Sequence, residues 1–265
     1  MRGGAQSHLM RCSDEQYYVV KFRNNPQGPR ILANEMLASH LAMSLGLPVS
    51  EPDIVLVSEW VIAHTPDLYI QNGSIQERCQ SGFAFASRFP CDPLRSPAFD
   101  YLPAEQMPLV ANLDAFAGML VFDQWTCNCD TRQVVFHQTN PQTHEAAPAF
   151  HATMIDQGYC FNGNQWNFPD SPRRGLFPNV AAYAGISGSS AVELWLRRLL
   201  NFPDDFLDEA AATVPVEWYE GQTDELSHLM TTLADRRGQI RDLMEECMRA
   251  AQGSFPNWQS HPPKA

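Results

Sequence analysis

Four charged residues, taken in chain order, carry the chemistry that this sequence offers. Lys21 sits in Tyr18-Val19-Val20-Lys21-Phe22. A lysine in an apolar, strand-forming run must turn its ammonium toward something polar, and a compact point charge suits the α- and β-phosphates of a nucleotide such as ATP. The alternative is an edge-strand lysine that reaches out to water. Glu35 lies in Leu32-Ala33-Asn34-Glu35-Met36-Leu37, between apolar neighbours, where it could face Lys21 in an ion pair or simply be a solvated helical glutamate. Asp130, in Asn128-Cys129-Asp130-Thr131-Arg132-Gln133, stands where a loop carboxylate can accept or orient a hydroxyl proton. Asp156, in Met154-Ile155-Asp156-Gln157-Gly158, follows an apolar run and could hold Mg²⁺ against phosphates. Both aspartates could instead be turn or cap residues. Ahead of all four, Gly3-Gly4-Ala5-Gln6-Ser7 offers backbone N–H groups and a hydroxyl that can cradle phosphate oxygens, although a glycine pair is also an ordinary turn.

Elements of defined type must position these groups. Leu9–Arg11 and Tyr17–Arg23 read as strands around a polar turn at Ser13–Gln16. Leu32, Met36, Leu37, Leu41 and Leu45 have helical spacing, and Gly46 then Pro48 end that helix. Ile54–Ile62 reads as a strand pair or one bent strand, and Pro66–Tyr101 as a long loop with short strands. Met107–Trp125 predicts one core helix. Val134–His137 and Thr153–Ile155 predict strands flanking a polar stretch, Gln138 to Pro148. Asn162–Ser190 reads as loop. Helices are expected at Val192–Leu200, at Asp204–Ala212 with Asp204 as cap, and at Asp224–Ala250 with a solvated face; the tail from Gly253 is expected to be irregular. The order, β-rich first and α-rich second, predicts an α+β arrangement of two packed units.

Bulk properties narrow the partners. The 265 residues carry a formal net charge of −12, which repels phosphate backbones and disfavours direct nucleic-acid binding. No run of apolar residues reaches membrane-spanning length, and the first residues lack the apolar core of a signal peptide. Seven cysteines, an odd number, fit reduced thiols in a cytoplasm. Cys127 and Cys129 have no second pair at zinc-site spacing.

Glycine loop, strand lysine, helix glutamate, N-x-D loop and I-D-x-G, in this order, resemble the HipA-like kinases, a branch of the wider protein-kinase-like and phosphoinositide-kinase-like fold. The likeness is greatest to small bacterial members. It is carried by Tyr18–Phe22, Leu32–Leu37, Gly46-Leu47-Pro48, Ser81–Pro90, Phe122–Asp130 and Met154–Gly158. The resemblance implies a two-lobed protein-kinase-like fold with a β-rich N-lobe over residues 1–66 and a mainly helical C-lobe over residues 67–265. It implies that Lys21 binds ATP phosphates and pairs with Glu35, with Gly3, Gly4 and Ser7 lying over the phosphates. Asp130 would be the catalytic aspartate and Asp156 the magnesium ligand. A protein serine or threonine hydroxyl would be the acceptor.

Two departures stand out. The family carries an asparagine a few residues after its catalytic aspartate as second metal ligand, and five residues after Asp130 this chain has Val135. A loop two residues shorter brings Gln133 to that place, and Asn128 is a further candidate. This departure keeps a nucleotide-binding pseudokinase open as the alternative. The fold also expects a strand before the glycine loop, so an upstream strand, ahead of Met1, is expected. Asp123 is expected to brace the catalytic loop or to be a buried structural carboxylate, and His151 to be structural. Arg88 is a candidate for substrate or phosphate contact. Trp195, Trp218 and Trp258 are expected in the core or between lobes.

Overall fold

The computed structural model describes residues 4–138, 149–188 and 190–258. Gly3 and most of the polar stretch from 138 to 148 lie outside them. A four-stranded antiparallel sheet opens the fold: β1 (His8–Arg11), β2 (Tyr17–Lys21), β3 (Pro52–Val57) and β6 (Gly82–Arg88), in the order β1-β2-β6-β3. Helix α1 (Arg30–Ser44) separates β2 from β3. Its end follows from Gly46, whose φ of 77° suits glycine and lets Leu47 N–H reach back to Ala42 O at 3.0 Å.

Alternation decides which way β2 faces. Tyr18 and Val20 enter a small apolar cluster on the outer face with Ala84 and Ala86 of β6. That cluster is closed by helix α2 (Glu59–His64) and the hairpin of β4 (Tyr69–Asn72) and β5 (Ile75–Arg78). Tyr17, Val19 and Lys21 therefore face the other way, toward the second unit.

The second unit holds a three-stranded sheet, β7 (Ala98–Phe99), β8 (Gln133–Gln138) and β9 (Phe150–Ile155), beside helices α3 (Ala115–Trp125), α4 (Ser190–Leu200), α5 (Asp205–Ala212), α6 (Thr223–Arg237) and α7 (Ile240–Ala250). One large core joins the units. Leu32, Met36, Leu37 and Leu41 of α1 and Phe85 of β6 pack in the same cluster as Phe116, Phe122 and Trp125 of α3. Trp195 and Trp218 are buried in it, and Trp258 packs against it. At the joint, Met154 N–H donates to Pro48 O at 2.7 Å. The architecture is α+β, with a sheet-rich first part and a helical second part.

Several elements differ from the sequence reading, each for a local reason. Ile54–Ile62 is not strand throughout: β3 ends at Val57, and Ser58 caps α2 by accepting from Val61 N–H at 3.2 Å. The Pro66–Tyr101 segment contains β6, whose hydrogen bonds to both β2 and β3 make it an inner strand of the first sheet. Met107–Trp125 is not one helix. A 3-10 turn at Ala104–Leu109 contains Pro108, Val110 bridges to Phe150, and Asn112 exchanges two hydrogen bonds with the Ala152 backbone before α3 begins. Asp224–Ala250 breaks at Gly238 into α6 and α7. Asp204 makes no side-chain cap bond and is instead paired with Arg237. Asn162–Ser190 includes a 3-10 turn at Val180–Tyr183.

Packing of α3 on α4 yields a sign test. A Cβ on Gly118 would lie 2.4 Å from the Trp195 ring. In an exposed helix, Gly→Ala stabilises by about 1 kcal/mol. Here Gly118→Ala is expected to destabilise by about 1–3 kcal/mol, because the indole must move within a filled core. A urea midpoint above that of the wild type would contradict the packing.

Candidate active site

The site forms where β2, α1 and the turn after β9 meet. Lys21 Nζ is ion-paired with Glu35 Oε1 and donates to Asp156 Oδ1 at 2.8 Å. Lys21 and Glu35 are buried, and the Asp156 side chain is partly exposed. Glu35 also accepts Gln157 N–H at 3.0 Å and Gly158 N–H at 2.9 Å. One glutamate thus holds both the lysine and the backbone that follows Asp156. Gly158 makes this approach possible, since a Cβ there would lie 2.6 Å from Ile31 Cγ2.

The electrostatics follow from burial and pairing. Burial opposes the Lys21 charge, but Glu35 and Asp156 outweigh it and hold the ammonium above its ordinary value. Burial lifts the Glu35 carboxyl, against the pull of Lys21. For Asp156, burial is outweighed by Lys21, and the carboxyl stays below the usual aspartate value.

Asp156 has a φ of 58°, and Phe161 and Asn162 follow with 59° and 57°. Left-handed backbone in non-glycine residues is costly and persists only where the surroundings over-determine it. Asn34, with no exposed surface, supplies that determination. Its amide donates to the carbonyls of Gly158 (2.7 Å), Cys160 (3.2 Å) and Gly163 (3.0 Å) and accepts from Trp166 Nε1 (2.7 Å).

The second acidic loop is built on α3. Asp123 at its C-terminal end accepts from Asn128 Nδ2 at 3.0 Å, and Asn128 Oδ1 accepts Asp130 N–H at 3.1 Å. Both amide atoms of Asn128 are thereby occupied, and the residue is buried. Asp130 is partly exposed, with Oδ1 accepting Thr131 N–H at 2.7 Å and Oδ2 facing Gln133 Nε2 at 3.3 Å. Gln133 stands directly across from Ile155 in the β8–β9 register, next to the Asp156 turn. Val135 is buried in β8. Asp123 does brace the loop, and its main partner is Arg132: Nε donates at 2.8 Å, and Nη2 completes a bidentate pair.

Of the remaining candidates, the glycine segment lies near this centre, and Arg88 and His151 do not. A Cβ on Gly4 would overlap Gln27, whose Nε2 donates to Tyr159 OH at 2.9 Å, so the glycine segment lies close to the Asp156 turn. Gln6 ties the same segment to β4 through two hydrogen bonds with the Gln71 backbone, at 2.6 and 2.7 Å. Ser7 is half-buried between Gln6 and β1. Arg88 is turned away from the site, toward Glu51 (3.5 Å) and Gln16 (3.0 Å). A cavity of about 780 Å³ opens at that end of the sheet, lined by Tyr17, Arg88, Phe89, His137 and His151 among others. Lys21 and Asp156 are not on its wall. His151 is thus a cavity-wall residue.

A family model described as HipA-like kinase matches residues 1–250. The chain belongs to the HipA-like kinase family. Kinase-like phosphotransfer is the activity class that goes with that family. Three solved structures share the fold at low identity. Hydra Fam20 with sugar is 14% identical, covering 92% of this chain and 82% of its own at a TM-score of 0.54. The Golgi casein kinase with Mn/ADP bound is 12% identical, covering 94% and 72% at 0.52. The Helicobacter pylori proinflammatory kinase CtkA is 15% identical, covering 94% and 95% at 0.55. No curated protein sequence matches.

Sequence reasoning missed Asn34, Arg132 and Gln157. Asn34 did leave a signal, because asparagine is a poor mid-helix residue and here stands in an apolar run. Arg132 and Gln157 left none, since their partners are distant in the chain.

Removing Glu35 probes the centre. Losing one partner of a buried pair costs about 3–5 kcal/mol. Lys21 would keep Asp156, so Glu35→Ala is expected near the lower end of that range and Glu35→Gln below it. Equilibrium urea unfolding checks both; equal stability of Glu35→Ala and wild type would deny the pair its structural role.

Proposed function

We propose that this HipA-like kinase transfers the γ-phosphoryl group of ATP, with Mg²⁺, to the hydroxyl of a protein serine or threonine. The observation that carries the reading is Lys21, paired with Glu35 and poised within 2.8 Å of Asp156. A buried ammonium held by two carboxylates is arranged to meet phosphate oxygens, and Glu35 keeps it aimed when Asp156 turns to another cation. The Mn/ADP complex of the Golgi casein kinase supports nucleotide and divalent metal use on this fold.

The donor set fits a hard divalent cation. Asp156 is partly exposed, Gln133 stands beside its turn, and both offer oxygen. Mg²⁺ held there would neutralise charge on the phosphate oxygens. Asn128 is a poorer ligand, because both atoms of its amide are engaged.

The chain's own residues do the rest. Gly4 and Ser7, with Gly3 ahead of them, would lie over the phosphates. Leu9 is opposite Val19 in the β1–β2 register and shares its cleft-facing side; it is 44% exposed and would cover the base. Asp130 would accept the proton of the attacking hydroxyl as the γ-phosphoryl group leaves ADP. Its backbone is held by the Asn128–Asp123 brace, and the residue is partly exposed.

One observation favours a second reading, a pseudokinase that holds ATP and regulates a partner. Val135 is buried in β8, and Gln133 spends an amide donor on Asp130. The metal site is complete only if the Gln133 oxygen reaches the Asp156 turn while its nitrogen holds Asp130.

The test is incubation with Mg²⁺ and γ-labelled ATP, following transfer to the protein itself or to proteins of a cell lysate. Transfer is expected, and Asp130→Asn and Lys21→Met are each expected to lower it by about 10²-fold or more. Thermal stabilisation by Mg-ATP without any transfer would favour the pseudokinase. Neither transfer nor stabilisation would remove the reading.

A further inference from the structure

We infer that Arg132 is a positioning residue that sets the placement of Asp156 relative to Asp130, and through it the affinity for the divalent cation. The inference rests on the reading of Asp156 as metal ligand and deepens it.

Arg132 lies two residues after Asp130, yet it turns inward and is only 1% exposed. Its guanidinium has two ends. Nε and Nη2 grip the Asp123 carboxylate. Nη1 donates to Ile155 O at 3.1 Å and to Gln157 Oε1 at 2.6 Å, the two residues that flank Asp156. On the Asp123 side the path runs through Asn128 to the backbone N–H of Asp130. One planar cation therefore joins the brace of the Asp130 loop to both neighbours of the Asp156 carboxylate.

The chemistry is specific to arginine. Its rigid fork binds a carboxylate with one edge while the remaining nitrogen serves a second group, and a lysine ammonium offers neither the plane nor the span. The burial of Arg132 removes it from any direct phosphate contact. Asp156 needs such a brace, because its left-handed backbone would otherwise relax. Gln157 reinforces this: its Oε1 accepts from Arg132 at 2.6 Å while its backbone N–H donates to Glu35 at 3.0 Å.

Groups that orient metal ligands from behind typically govern about 10–100-fold in metal affinity or activity. The full-length protein is titrated with Mn²⁺ in the presence of a non-hydrolysable ATP analogue, and free Mn²⁺ is read by electron paramagnetic resonance. Asp156→Asn serves as the reference for a lost ligand. Arg132→Lys is expected to raise the half-saturating Mn²⁺ concentration by about 10-fold or more, with metal-free analogue binding near that of the wild type. Gln157→Met, which leaves Arg132 on Asp123 and Ile155, is expected to raise it by less. A merely structural arginine would lower the melting temperature without moving Mn²⁺ half-saturation, and folded Arg132→Lys with wild-type Mn²⁺ binding overturns the inference. If Arg132→Lys does not fold, Gln157→Met decides: unchanged Mn²⁺ binding overturns the inference, and weakened binding supports it. Wild type that binds no Mn²⁺ with the analogue, like Asp156→Asn, overturns the reading of the site itself, and the inference with it.

Discussion

A lysine ammonium buried beneath a sheet is the constraint around which the rest of this molecule is arranged. Taking Lys21 out of water is expensive, and it is tolerated because Glu35 and Asp156 meet it there. Those partners come from a helix and from a turn far along the chain. The pair can form only if α1 lies under the first sheet and if the end of β9 rises to the same point. The core reflects this demand. Most of α1 is buried, with the sheet on one side and the helical unit on another, so it is a shared element and not a surface helix. A buried pair of this kind is weak evidence for stability, since well-packed apolar groups would serve as well.

The second feature of the site is strain held in place. Asp156, Phe161 and Asn162 all have left-handed backbone, in the segment that follows β9. Two buried polar side chains bond to it. Asn34 reaches it from α1, and Arg132 reaches it from the Asp130 loop. Networks of this type are stiff because their donors and acceptors have few other partners in a low-dielectric interior. The two acidic loops and α1 are thereby joined by one set of buried hydrogen bonds.

Much of this was legible in the chain. Alternation in Tyr17–Lys21, the helical spacing from Leu32 to Leu45 and the apolar run before Asp156 are short-range patterns, and each produced the element it predicts. Lys21, Glu35 and Asp156 could be singled out because a charge inside an apolar run has a solvation cost that demands a reason. Breaks were harder to see. Pro108 and Asn112 interrupt the expected long helix because Asn112 serves the Ala152 backbone, and Gly238 divides the last long helical stretch. The inner strand Gly82–Arg88 is flanked by a loop-like composition, and its place between β2 and β3 depends on pairing that no local window contains.

The sequence by itself determined which residue types bear charge within apolar runs, and in what order, and this is enough to specify a strand lysine, a helix glutamate and two loop aspartates. Only the tertiary structure decided how those groups are held. Asn128 was a candidate ligand by type, yet its amide is consumed by Asp123 and the Asp130 backbone. Arg132 lay in plain view beside Asp130, yet it turns inward to join residues on both sides of Asp156. The physical reason is that hydrogen-bond partners are assigned by three-dimensional proximity and by the cost of leaving a buried polar atom unpaired. Neither quantity is a function of spacing along the chain.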